Sequence, residues 1–111
     1  MVKINIPKTR KVLDSLMVLH NDVRAKIFAI VIDGEKLQKE YNIRKIHDEL
    51  KKDKIEIAYK NCALHIKELE KAGLLQLKIQ KYSRGQETII KPTEKAHNIA
   101  KFLVGIKANF F

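Results

Sequence analysis

The residues that could ligate a metal or do catalysis are few and scattered. His20, His47, His65, His97 and the lone Cys62 are the candidate imidazole and thiol ligands, and they include no Cys-x-x-Cys or His-x-x-x-His pair. No metal is therefore expected, and Cys62 reads as a small core hydrophobe. Ser15 and Ser83 lack a recognisable base-and-orienter setting. Asp48 and Glu49 are adjacent, so on a helix they point about 100° apart and form a solvated face. Glycine-rich phosphate loops are absent, and neither enzymatic activity nor a cofactor is expected. What remains is cationic chemistry. Lys and Arg number 23 against 13 Asp and Glu, a formal net charge of +10. Lys3, Lys8, Arg10 and Lys11 precede the first acid, and from Lys54 onward bases outnumber acids roughly two to one, the asymmetry of a basic arm and a basic face. Nucleic acid is the leading partner for such a chain.

The positions of these cations depend on the elements that carry them. At 111 residues and 45% hydrophobic composition the chain is expected to form one domain with a continuous core. Trp is absent and aromatics are few, which leaves little for a single-strand stacking platform. Glycine and proline number four and two, so most of the chain should be regular helix. A single cysteine fits a reducing compartment, and with no apolar run of about 18 residues and no export-type N-terminus the expectation is a cytoplasmic protein without membrane contact. Lysine outnumbers arginine and isoleucine is abundant, a bias reported for hyperthermophile proteins.

Pro7 can open a helix in which Val12, Leu13, Leu16, Met17 and Leu19 or His20 recur at helical spacing. Asn21 or Asp22 can cap a second helix, with Val23, Ile27, Ile30 and Val31 on one face, until Asp33-Gly34 stops it. Glu35 to Tyr41 reads as a loop. Asn42 can cap a short helix with Ile43, Ile46, His47 and Leu50 on its apolar side, ending at Lys51-Lys52-Asp53. Ala58 to Ala72 is the longest clear element, with Tyr59, Cys62, Ile66, Leu69 and Ala72 at steps of three and four, closed by Gly73 in the left-handed conformation. The period then changes to two. Leu75, Leu77 and Ile79 alternate, Thr88-Ile89-Ile90-Lys91 is the partner run, and Ser83-Arg84-Gly85 is the turn. Thr93 can cap a last helix whose Ala96, Ile99, Ala100, Leu103, Ile106 and Phe110 form an apolar seam. A seam of this kind at the end of a small chain calls for a partner helix, and the expected partner is a second copy of the chain, the alternative being the N-terminal helix of the same chain.

Three strings carry a family resemblance: Asn21-Asp22-Val23-Arg24-Ala25-Lys26-Ile27, His65-Ile66-Lys67-Glu68-Leu69-Glu70-Lys71-Ala72-Gly73-Leu74 leading into the hairpin, and Lys91-Pro92-Thr93-Glu94-Lys95-Ala96. Over about residues 21 to 96 they resemble the winged helix-turn-helix regulators of the ArsR, MarR and PadR type. Pro92 and Ala96 replace the leucine and glycine usual there, and the cysteine-bearing motif of metal-responsive ArsR proteins is missing. The resemblance implies a mainly α fold with a small β-hairpin, extra N-terminal and C-terminal helices, and a single domain over 1–111. Its core would span about 21–92, and a helix over about 93–108 would serve dimerisation. It implies that the helix from Ile43 to Leu50 positions and the helix from Ala58 to Ala72 lies in the major groove.

On that resemblance, Tyr59, Lys60, Asn61, Leu64 and Lys67 are the expected groove contacts. Asn61 can pair with adenine, Lys60 can reach guanine or phosphate, and Tyr59 can donate to phosphate. Ala58 stands where a Ser or Thr cap is common, and Leu64 where a polar or arginine side chain is usual. Arg84 at the hairpin tip can enter a minor groove, while Lys81 and Lys91 flank it and can hold phosphates. Leu13, Leu16, Ile99, Leu103, Ile106 and Phe110 are the expected dimerisation residues. The resulting expectation is a homodimeric, sequence-specific regulator of transcription that binds double-stranded DNA. Two other functions remain compatible with the same residues: a low-specificity architectural or plasmid-partition protein, and a winged-helix protein-interaction module.

Overall fold

The computed structural model describes residues 17–110, with side chains described as far as Leu103. The helix expected to start at Pro7 lies outside the described residues except at its end, where Met17 and Val18 are helical and Val18 and Leu19 pack against the core. The described chain is four helices and one antiparallel hairpin, mainly α with a small β element as expected.

Helix α1 spans Asp22–Lys36. Of the two candidate caps it is Asn21 that acts, its Oδ1 accepting from the Val23 and Arg24 amides at 3.0 and 3.1 Å, while Asp22 lends its charge to the positive end of the dipole. The buried face is Ile27, Phe28, Val31 and Ile32, with Val23 and Ile30 only partly covered, so the apolar stripe is rotated from the one expected. The expected stop at Asp33-Gly34 is also displaced. The helix runs through Gly34 to Lys36, and the connection is left with residues 37–42.

The reason Gly34 does not end the helix is that it serves a close contact. A Cβ there would lie 2.1 Å from Cε2 and 2.8 Å from Cδ2 of Tyr41. The Tyr41 ring thus rests on bare helix backbone, and its main chain forms an isolated bridge to Ile90, whose N–H donates to the Tyr41 carbonyl at 2.8 Å. One residue on, Asn42 caps helix α2 (Ile43–Lys52) by accepting from the Lys45 amide at 2.8 Å. A helix of this length is marginal alone. Burial of Ile46 and Leu50, each contributing about 1.5–3 kcal/mol, holds it against its neighbours.

Helix α3 spans Tyr59–Lys71 between Ala58 and Ala72, inside the expected limits. Cys62, Ile66 and Leu69 are fully buried, and α1 and α2 pack on that side. Gly73 adopts φ +78° and the Leu74 N–H reaches back to the Leu69 carbonyl at 3.0 Å, a left-handed terminus of the expected kind.

Strands β1 (Leu75–Tyr82) and β2 (Gly85–Pro92) pair from Leu75↔Pro92 to Tyr82↔Gly85. Ser83 and Arg84 alone form the tip. Gly85 is already in the strand, at φ +139°, where a side chain would be strained. Leu75, Ile89 and Ile90 are buried near the base, while the distal part from Lys78 to Gln86 is exposed. Helix α4 (Glu94–Phe110) follows Thr93, whose hydroxyl accepts from the Ala96 amide at 3.1 Å and donates to the Gly73 carbonyl at 2.6 Å.

The Gly34 contact sets two effects against each other. Alanine in a helix interior gains about 1 kcal/mol over glycine, whereas overpacking costs about 1–3 kcal/mol. Because the Ile90 bond holds the Tyr41 backbone in place, overpacking should win: Gly34→Ala is expected to lose about 1–2 kcal/mol in urea unfolding. In a Tyr41→Ala background the same change should become neutral or stabilising. A Gly34→Ala protein more stable than the parent would contradict this account of the contact.

Candidate nucleic-acid interface

The face of α3 opposite its buried stripe is exposed and mostly polar. At 3.6 residues per turn, Lys60, Leu64 and Lys67 fall roughly 180° around the helix from Cys62, Ile66 and Leu69, and all three are exposed. Asn61 stands beside them, also exposed. Tyr59 is 51% exposed and Leu64 54%, so the first turns of α3 present two bulky side chains to solvent between lysines. Tyr59 therefore leaves the buried stripe in which its spacing had placed it.

The N-terminus of α3 carries no side-chain cap, since Ala58 cannot bond the first-turn amides, and no acid lies in that turn. The orphan N–H groups and the positive dipole end thus lie in the same first turn as the exposed Lys60, a combination that favours an anion. Its direction is set from α2. His47 Nε2 lies 2.8 Å from the Ile57 carbonyl in the turn, and the His47 ring meets Tyr59 edge-on at 5.8 Å between centroids. Nothing in the sequence separates His47 from an ordinary member of an amphipathic stripe.

A second brace comes from α1. Arg24 Nε donates to His65 Nδ1 at 3.2 Å, across 41 residues of sequence. Burial first, and the Arg24 charge second, push the His65 imidazole below its ordinary value of 6.5, with Glu68 opposing. The far end of α3 is tied to α4: Lys95 Nζ donates to the Ala72 carbonyl at 3.0 Å beside the Thr93–Gly73 bond. Cys62 faces the core and burial pushes its thiol up to about 11, so at neutral pH it is a thiol with little nucleophilic character.

The hairpin tip carries Arg84, exposed, with Lys81 exposed near it and paired with Gln86. Lys91 is not a neighbour of Arg84. It pairs with Gln76 near the base, roughly 20 Å away along the strand at about 3.3 Å per residue, and on the other face from Lys81. There it lines a hollow of about 360 Å³ with Val31, Glu35, Gln38 and Gln76. Among the described residues, none of Lys60, Lys67, Lys81, Arg84 and Lys91 forms an ion pair. Arg44 and Lys45, unremarked in the sequence, are also exposed in the first turn of α2, which has no acid to balance them. Their signal was the position directly after the Asn42 cap, where cations oppose the helix dipole.

The hairpin is aimed by the Asn42 side chain, whose Nδ2 donates to Glu87 Oε1 while its Oδ1 caps α2. One residue thus links the start of α2 to the hairpin.

The expected dimerisation residues separate. Ile99 is 3% exposed inside its own subunit, in the same core as Ile27 and Leu69, and so is not part of an exposed seam. The helix turns Phe102, 48% exposed, and Leu103 outward instead. Leu13 and Leu16 lie outside the described residues, as do the side chains of Ile106 and Phe110.

No protein-family model matches the chain, and no curated protein matches it in sequence. Several solved structures share its fold. The reduced form of the transcriptional regulator YodB from B. subtilis superposes with a TM-score of 0.68 at 17% identity, over 97% of this chain and 90% of the other. A homodimeric winged helix-turn-helix DNA-binding domain from Mycobacterium bovis gives 0.67 at 12% identity, over 100% and 92%. A PadR family transcription regulator from Clostridium difficile gives 0.61 at 13% identity, over 75% and 83%. At these identities the likeness is one of fold, the winged helix-turn-helix.

The Arg24–His65 bond requires a neutral imidazole, because a protonated Nδ1 cannot accept. With the folded value lowered, the unfolded chain binds the proton first as pH falls, so stability is lost from about pH 6.5 downward until the folded imidazole also titrates. Melting temperatures measured between pH 7.5 and 5 should therefore fall more steeply for the parent than for His65→Gln. Superimposable pH profiles would remove His65 from this role.

Proposed function

We propose that the protein is a transcriptional regulator that binds double-stranded DNA as a homodimer of one winged-helix domain covering residues 1–111. The observation that carries this reading is the outward face of α3, with Lys60, Asn61 and Lys67 exposed opposite a fully buried stripe. The same rigid body holds a hairpin that ends in an exposed Arg84. The fold neighbours support it, since they are described as transcription regulators and one of them as a homodimeric DNA-binding domain.

In this reading α3 enters the major groove. Asn61 pairs with an adenine edge, Lys60 and Lys67 reach base edges or phosphates, and Tyr59 donates to phosphate. The uncapped amides of α3 receive a phosphate oxygen. Arg84 and Lys81 reach the adjacent minor groove and its backbone, while Lys91 serves at most a distant phosphate. Arg44 and Lys45 add cations at the start of α2. If two copies joined through Phe102 and Leu103 of α4 space their α3 helices by about one helical turn, roughly 34 Å, the preferred site is a pseudo-palindrome.

A low-specificity DNA-coating protein would use the same phosphate contacts. The thin set of base-reading side chains on α3 favours it, and a footprint separates the two, one protected palindrome against spreading protection.

Fluorescence anisotropy with duplex DNA should show a steep salt dependence, the slope of log K against log salt losing about 0.9 for each phosphate contact removed. The double variant Lys60→Ala/Arg84→Ala is expected to bind duplexes of every sequence more weakly and with a shallower slope. Unchanged affinity would shift the assignment to a protein-interaction module.

Light scattering tests the dimer. The parent should show twice the 12.9 kDa chain mass, and Leu103→Glu, at an exposed position that leaves the core intact, should shift it towards monomer. A parent already monomeric at high concentration would remove the dimer from the proposal.

A further inference from the structure

Leu64 is a large apolar side chain, 54% exposed, on the polar face of α3. Scattered exposed leucines are ordinary. This one differs by its setting: Lys60 lies four residues before it and Lys67 three after, so it sits between two exposed lysines on one helix face, with Asn61 three residues before it at the edge of that face. A leucine neither donates nor accepts hydrogen bonds. In a major groove the one base-edge group it can cover favourably is the C5-methyl of thymine.

We propose that Leu64 is a specificity-determining residue that reads a thymine methyl, and that the preferred duplex is A·T-rich at the base pairs under α3. The inference rests on the DNA-binding reading given above and names the class of sequence it selects. Asn61 contributes the complementary preference, since its carboxamide matches adenine N6 and N7. The two residues are three positions apart and about 60° apart around α3, within one turn of each other, so they can address neighbouring base pairs. Helix α3 contains no arginine, and Lys60 and Lys67, the cations on this face that could reach guanine O6 and N7, serve phosphates in this assignment. Arg84, at the tip of the hairpin, adds a third preference in the same direction, because narrow A·T minor grooves concentrate negative potential. Major-groove amide, major-groove apolar contact and minor-groove cation thus converge on one base composition.

The test uses the full chain and chemically defined duplexes. Duplexes enriched by the protein from a random pool are resynthesised with deoxyuridine in place of thymine, which deletes the methyl and leaves the pairing edges unchanged. The expected result is an A·T-rich enriched pool and a loss of affinity of about fourfold for each methyl contacted, about fifteenfold for two half-sites. Leu64→Ala should bind thymine and deoxyuridine duplexes equally. Lysine-led affinity for either should persist. Equal binding of both duplexes by the parent, a G·C-rich pool, or a thymine preference that survives in Leu64→Ala would each overturn the assignment while leaving DNA binding intact. Failure to bind any duplex would instead overturn the DNA-binding reading, and Leu64 would then belong to a protein contact.

Discussion

The arrangement depends on a close approach between one glycine and one tyrosine. Gly34 offers bare helix backbone to the Tyr41 ring, and no larger residue could stand there without moving it. From that seat the chain runs two ways. The Tyr41 main chain pairs with Ile90 and so adds a third point of attachment to the hairpin, and Asn42 immediately after it caps α2 and grips Glu87. A two-stranded ribbon is marginal in water by itself. Here its base is covered by the core and its edge is pinned by Tyr41, which allows the distal part to extend into solvent without losing direction.

Helix α3 is held with the same redundancy. Its start is set by His47 through the Ile57 carbonyl and the Tyr59 ring, its middle by Arg24 on His65, and its end by Thr93 and Lys95 on the last carbonyls. Each such bond adds only about 0.5–1.5 kcal/mol, so most of the stability comes from burying Cys62, Ile66 and Leu69. What the polar ties supply is orientation. A buried stripe can rotate or slide by a few degrees at little cost, whereas hydrogen bonds from three other elements fix which side chains face outward.

Much of this was legible in the chain. The stripe of α3, Gly73, the Asn42 and Thr93 caps and the change of period into the hairpin all follow from local rules, and each lies within a residue or two of its expected place. The misreadings have a common cause. Gly34 looks like a helix stop because glycine usually marks one, yet it was kept for a contact with a residue seven positions on. Just past the C-caps of α1 and α2, Gln38 and Lys54 stand at φ 57° and 62°, left-handed positions that carry no glycine to announce them. Ile99 reads as part of a seam because periodicity identifies an apolar face without saying which surface covers it.

The sequence by itself determined the element types and order, the cationic balance and the residues on the outer face of α3, because these rest on spacing, capping and charge, all properties of neighbouring residues. Only the tertiary structure decided that Lys91 sits at the base of the hairpin, far from the tip where Arg84 was expected, and that Ile99 belongs inside while Phe102 faces out. It also decided that Arg24, His47 and Lys95 brace α3. Those outcomes depend on strand register and on contacts between residues far apart in the chain, such as Arg24 and His65 at a separation of 41, where the partner is chosen by packing geometry and leaves no local mark in the chain.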